Sequence, residues 1–224
     1  MTAAPAVTPL RAVYLIVEMA ALYLAAPIAL YVLVFEHRIP LFQVFPPVLL
    51  LIAVLLTLDP SHSWRRTLFT FFGFKTLASI LLLFAVMGGG LAWYASEYYP
   101  DRFLSFPRRA PDLYVDIMIK YCLYSVPVQE LIYRVLFFHR YAPLFGGRVW
   151  PAVLVSAVLF SLAHAFFPNW EGAMLISLVG GLIFAARYAT TRSFWAVVIE
   201  HSLYGMLIFA IGFGRFFFTG VSNI

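Results

Sequence analysis

The chain has 224 residues, of which 63% are hydrophobic and 11% charged, with a mean hydropathy of +0.92. A soluble domain carries about 25% charged residues, so this composition excludes an ordinary aqueous surface and points to an integral, polytopic membrane protein. The formal charge of +5 sits mostly in short connections, where Lys and Arg orient membrane spans, so the expected partners are membrane lipids and not nucleic acid.

A membrane helix needs about 20 largely apolar residues. On that ruler the first span runs from Ala12 to Phe35, with Glu18 inside it unexplained, and reads as a span in preference to a cleaved signal. The second, Leu41 to Thr57, is short and contains Pro46 and Pro47, which suits a tilted or re-entrant segment. The third covers Leu68 to Ser96, and the polar stretch Tyr98 to Asp112 then separates a front part from a rear part. In the rear, spans are expected at Leu113 to His139, Val149 to Phe167, Gly172 to Tyr188 and Ser193 to about Phe218, the last able to break at Gly212 and Gly214. The expected fold class is an all-α transmembrane bundle of six to eight spans. It would comprise scaffold helices over 1–97, a core over 112–210 and a C-terminal segment over 211–224.

Counting Lys and Arg on alternate sides of a seven-span arrangement gives eight against five and favours a cytoplasmic N-terminus. Cys122, the single cysteine, cannot form an internal disulfide and reads as packing. The sequence sets no oligomeric state.

A glutamate, an arginine and two histidines stand out inside the rear apolar runs: Glu130 and Arg134 in VPVQELIYR, His164 in LFSLAH and His201 in VVIEHSLYG. An ionised group at the centre of a membrane helix costs roughly 2.5 to 3.5 kcal/mol, so their concentration points to a polar site within the bilayer. Glu130 and Arg134 are four apart and can pair on one helix face. Pro127, just before them, lacks a backbone donor, and a distortion there would let both Gln129 and Glu130 approach a cavity.

Three chemistries fit these groups. A carboxylate and a neutral histidine can activate water against a peptide carbonyl while a second histidine supports the oxyanion. Glu130, His164 and His201 can alternatively hold zinc with an open water position, although the HExxH spacing of zinc proteases is absent. Proton-coupled transport is the third.

The residues also carry a resemblance. Gln129-Glu130-Leu131-Ile132-Tyr133-Arg134, Phe160-Ser161-Leu162-Ala163-His164 and His201-Ser202-Leu203-Tyr204-Gly205 occur in order on successive apolar segments. This order resembles the CPBP family of intramembrane proteases, the group of the CAAX prenyl endopeptidase Rce and of the Abi proteins, over about Asp112 to Ala210. The resemblance implies a helical membrane core that hydrolyses a peptide bond of a membrane-anchored or lipidated protein or peptide, without a required cofactor. The family pattern has two glutamates where this chain has Gln129 and Glu130, and Asn or Asp where it has Gly205. An amide is no general base and glycine supplies no side-chain donor. The expectation is therefore that Glu130, helped by His164, activates water, that His201 with a backbone N–H or Tyr204 carries the oxyanion, and that Arg134 holds Glu130. Glu200 is a further candidate for orienting His201 or supplying the missing acid, and Phe160 for packing beside the site. The alternative is a catalytically silent member that binds or stabilises a partner. A prokaryotic cytoplasmic membrane is the expected location.

Overall fold

The structure, a computed structural model, describes residues 8–217. Thr8 opens the first helix: its hydroxyl accepts from the Arg11 N–H, and Pro9, which has no N–H to lose, takes the first position. Helix α1 (Pro9–Tyr31) continues through a wide π-turn, Val32–Glu36, and is followed by α2 (Leu41–Leu58), in which Pro46 and Pro47 are accommodated within the helix. A short helix α3 (Trp64–Phe69) precedes α4 (Phe74–Leu83), which passes through a second π-turn, Phe84–Gly88, into α5 (Gly89–Tyr98).

After α6 (Ser105–Arg109), one long helical path carries the first polar motif. It comprises α7 (Pro111–Lys120), a π-turn over Tyr121–Ser125, α8 (Val126–Glu130), a π-turn over Leu131–Leu136 and α9 (Phe137–Arg140). Three helices complete the bundle: α10 (Val149–Leu162), α11 (Trp170–Thr191) and α12 (Phe194–Ala210). Ser193 starts α12 by accepting from the Ala196 N–H while its own hydroxyl donates to the Thr70 carbonyl. Helix α10 packs along α11, and α12 lies against α11 and α8. All described regular structure is helical, as a bilayer demands of backbone polar groups that have no water to bond.

The span count needs correction. Four helical stretches, not six to eight, are long and apolar enough to cross a membrane among the described residues: Pro9–Glu36, Leu41–Leu58, Phe74–Tyr98 and Trp170–Thr191. The expected spans at Val149 to Phe167 and Ser193 to Phe218 overran their helices. Helix α10 has 14 residues and α12 has 17, about 21 and 26 Å at 1.5 Å per residue, against a hydrocarbon layer of about 30 Å. The apolar residues beyond them lie in turns: the chain bends at Ala163 after α10, and after α12 it reverses at Gly212, whose φ of 91° is open to glycine. Phe218 and the rest of the 211–224 segment beyond Phe217 lie outside the described residues, as do the first seven residues of the 1–97 scaffold. The third span begins at Phe74 and not Leu68, because Thr70 to Gly73 are not helical.

Glu18 finds its reason at the far end of the helical path. Arg140 holds its carboxylate through Nε and, at 2.8 Å, through Nη2, and the Tyr141 hydroxyl donates to it at 3.2 Å. Asp59, just past α2, reaches His139 at 3.2 Å and Arg140 at 3.6 Å. This cluster ties the middle of α1 and the end of α2 to the end of the path that carries Glu130.

Candidate active site

The two π-turns flanking α8 decide where its side chains point. Pro127 removes a donor immediately after the first turn, and the widened winding offsets the residues beyond it from the register of a regular helix. The second turn is pinned from outside: the Tyr23 hydroxyl donates to the Ile132 carbonyl and the Ser156 hydroxyl to the Tyr133 carbonyl, each at 2.7 Å. Gln129 and Glu130 consequently face different surroundings. Gln129 lines a cavity of about 1180 Å³ together with His164, His201, Tyr121 and Tyr204, whereas Glu130 lies outside its lining and is 0% exposed. The expected approach of both residues to the cavity is therefore met by Gln129 alone.

Glu130 turns instead toward α12. Its Oε1 accepts from His201 Nδ1 at 2.7 Å, and its Oε2 lies 3.1 Å from Arg134 Nε. The arginine contact is a charge contact without an aligned hydrogen bond, and none of the three guanidinium nitrogens has a hydrogen-bond partner among the described residues. The guanidinium spreads over aromatic faces, with its central carbon 4.6 Å from the Phe160 ring and 5.7 Å from that of Phe184.

Both histidines are fixed in the same tautomer. His164 Nδ1 lies 2.8 Å from the Phe160 carbonyl, an oxygen that can only accept, so Nδ1 carries the proton. His201 Nδ1 carries one for the same reason, facing the Glu130 carboxylate. When neutral, each ring therefore offers its lone pair at Nε2. Phe160 sets their spacing, with its ring centroid 4.9 Å from that of His164 and 5.6 Å from that of His201. Phe184 stacks on His201 at 4.5 Å. His164 stands in the turn after α10 and not within a helix, and stacks there on Phe167.

The remaining candidates separate. Gln129 donates its amide to the Ser125 hydroxyl at 2.7 Å and to the Ser125 carbonyl at 3.2 Å, which leaves its carbonyl oxygen as an acceptor. Glu200 is not directed at His201: it is 0% exposed and held by Arg187 in two parallel 2.9 Å hydrogen bonds, with Arg187 also donating to Ser79. The Tyr204 ring lines the cavity, but its hydroxyl oxygen is buried without a partner. Among the described residues no three His, Cys, Asp or Glu side chains gather to hold a metal ion. Glu130, His164 and His201 thus do not form the zinc site weighed from their residue types, because one carboxylate oxygen is spent on Nδ1 of His201 and the other faces Arg134.

Residues 112–207 match the family model described as type II CAAX prenyl endopeptidase Rce1-like. Over these residues the chain is similar to the Rce1-like, CPBP-type membrane protease domain. No curated protein and no solved structure matches the chain. The matched segment of this all-α, polytopic membrane protein begins in α7 and ends in α12, and so contains Tyr121, Gln129, Glu130, Arg134, Phe160, His164, Phe184 and His201. Two participants had no motif to announce them: Tyr121, at the start of a π-turn, and Phe184, which joins the stack only through the packing of α11 on α12.

The cavity walls are overwhelmingly apolar. Leu51, Met87, Leu175 and Val179 line it and are also 53%, 40%, 65% and 42% exposed, so it opens sideways onto the apolar surface of the bundle. Its few polar side chains are therefore the groups that an occupant arriving from lipid would meet.

Proposed function

We propose that the protein is an intramembrane endopeptidase that hydrolyses a peptide bond in a membrane-anchored or lipidated protein or peptide, in a prokaryotic cytoplasmic membrane. The observation that carries this reading is the buried 2.7 Å contact between Glu130 and His201, with His201 lining the same cavity as Gln129 and His164. A carboxylate behind Nδ1 fixes the imidazole, leaves Nε2 as the base and stabilises the imidazolium that forms when a proton is taken. In this assignment Glu130 acts through His201 and does not touch the water, and Arg134, 3.1 Å from its other oxygen, holds the carboxylate in place. Gln129, in the place of the first motif glutamate, offers its carbonyl oxygen to orient the water, and His164 Nε2 is a second acceptor for it.

The step follows from those roles. His201 Nε2 removes a proton from water as the oxygen bonds to the scissile carbonyl carbon, and the resulting tetrahedral species collapses by breaking the C–N bond. The proton held on His201 passes to the departing amine, so the net change is addition of one water across the peptide bond. No step requires Gln129 to accept a proton.

A second reading rests on Gln129 itself: a member with an amide in this position would bind the same anchored chain without cutting it. Purified protein in liposomes with fluorogenic peptides carrying a prenyl or acyl anchor separates the two. Cleavage by the parent, lost in His201→Ala and in His164→Ala, supports the protease; specific retention of the anchored peptide with no cleavage by any variant supports the silent binder.

A further inference from the structure

A neutral His201 whose Nδ1–H is spent on Glu130 and whose Nε2 receives the water proton has no donor free for a developing oxyanion until that proton has arrived. His164 is in the same position, with Nδ1 committed to the Phe160 carbonyl. Gly205, one helical turn beyond His201 on α12, supplies no side chain, and a Cβ built there would collide with the hydroxyl, Cζ and Cε1 atoms of Tyr121. The phenol end of Tyr121 therefore fills the volume in which a side chain at 205 would begin. Its ring stands edge-on to His201, with centroids 5.9 Å apart at 82°, and it lines the same cavity.

We propose that the Tyr121 hydroxyl is the oxyanion donor of this site, replacing from the opposite helix the side-chain donor that Gly205 lacks. Gly205 and Tyr121 then form one matched pair: the glycine is required because the tyrosine occupies its side-chain space. Tyr204, the phenol expected from the sequence to serve here, is unsuited, since its hydroxyl oxygen is buried without a partner and its ring packs on Phe84 at 5.3 Å. The π-turn that begins at Tyr121 sets this residue on the cavity wall two turns before Gln129. The assignment rests on the hydrolytic reading above, and it names a residue that reading does not need for water activation.

The test compares parent, Tyr121→Phe, His201→Ala, Tyr121→Ala, Gly205→Asn and the double variant Tyr121→Ala/Gly205→Asn on the anchored fluorogenic peptides in liposomes. Phenylalanine keeps the ring and its packing, so Tyr121→Phe should melt with the parent and bind with a similar KM while kcat falls by about 10²–10³, the cost of removing one preorganised oxyanion donor. Gly205→Asn alone should lose folded protein through the clash, and the double variant should regain kcat over Tyr121→Ala because the amide enters the vacated space. Parent-like kcat in Tyr121→Phe, with His201→Ala inactive, overturns the Tyr121 assignment and leaves the protease reading standing. Should Tyr121→Phe lose activity by unfolding, the double variant decides, and no recovery there also overturns it. A parent that cleaves none of the anchored peptides removes the protease reading and this inference together.

Discussion

Replacing Glu130 by glutamine preserves shape and removes one charge from the point on which two contacts converge. The first is with Arg134, at 3.1 Å between side chains that are both 0% exposed. Removing one partner of a buried pair leaves an uncompensated charge and costs about 3–5 kcal/mol. At about 2–4 °C per kcal/mol for a protein of this size, Glu130→Gln should lower the melting midpoint by about 6–20 °C. The second contact is with His201 Nδ1, where an amide can present N–H in place of a lone pair and select the opposite tautomer. The corresponding exchange beside the histidine of a serine-protease triad lowers kcat by about 10⁴, and a loss of that order is expected here. Cleavage of anchored peptide in liposomes reads the second effect, and thermal unfolding in one fixed detergent reads the first. Adding Arg134→Met to Glu130→Gln should restore much of the midpoint and none of the activity, because the orphaned charge is gone while the tautomer remains wrong. Parent-like kcat in Glu130→Gln would refute the role assigned to the Glu130–His201 contact, and an unchanged midpoint would refute the cost assigned to the ion pair.

Arg187→Ala should strand the buried Glu200 carboxylate and destabilise the protein by about 3–5 kcal/mol, with kcat of the folded fraction retained; loss of kcat without loss of stability would return Glu200 to the site. Phe160→Ala removes the ring that spaces both histidines and underlies Arg134, and should cost about 3–5 kcal/mol together with a fall in kcat that exceeds any change in KM, measured by steady-state kinetics. The Ser61 hydroxyl, aided by its backbone N–H and by His139, holds the Asp59 carboxyl down at about 2 against the opposing cost of burial. The unfolded value is about 3.9, so Asp59 stabilises the fold fully above pH 4 and ceases to do so as pH falls through 2. The difference in melting midpoint between parent and Asp59→Asn should therefore shrink between pH 4 and pH 2, and, because the group is partly solvated, correspond to no more than about 1 kcal/mol. A difference that grows toward low pH would contradict the sign.

The sequence made the helical membrane class legible through composition, and the i, i+4 spacing of Glu130 and Arg134 brought out their pairing. It also picked out His164 and His201 in the rear half, since each sat in an apolar run where an isolated polar group is expensive, and Phe160 by its place one turn before His164. Winding was not legible. Pro127 announced a distortion in VPVQELIYR but not its form, so the turning of Glu130 away from the cavity and of Gln129 toward it could not be read. Pairings across the fold were equally hidden: Glu18 with Arg140, Glu200 with Arg187, and Tyr121 with Gly205 each join segments whose relation is set by packing. Two of the three overcounted spans have a simple cause, because hydropathy continues through the turn holding His164 and through the reversal at Gly212, where the helices stop; the third, Leu113 to His139, is interrupted by its own polar residues.

For the proposed protease, the opening marked by Leu51, Met87, Leu175 and Val179 also sets the kind of concentration to which the site should respond. A chain arriving through those residues is dissolved in the bilayer, and its encounter rate depends on copies per lipid and not on copies per litre. Diluting a proteoliposome suspension with buffer should leave turnover unchanged, whereas enlarging the bilayer around the same enzyme and substrate should slow it in proportion to the added lipid.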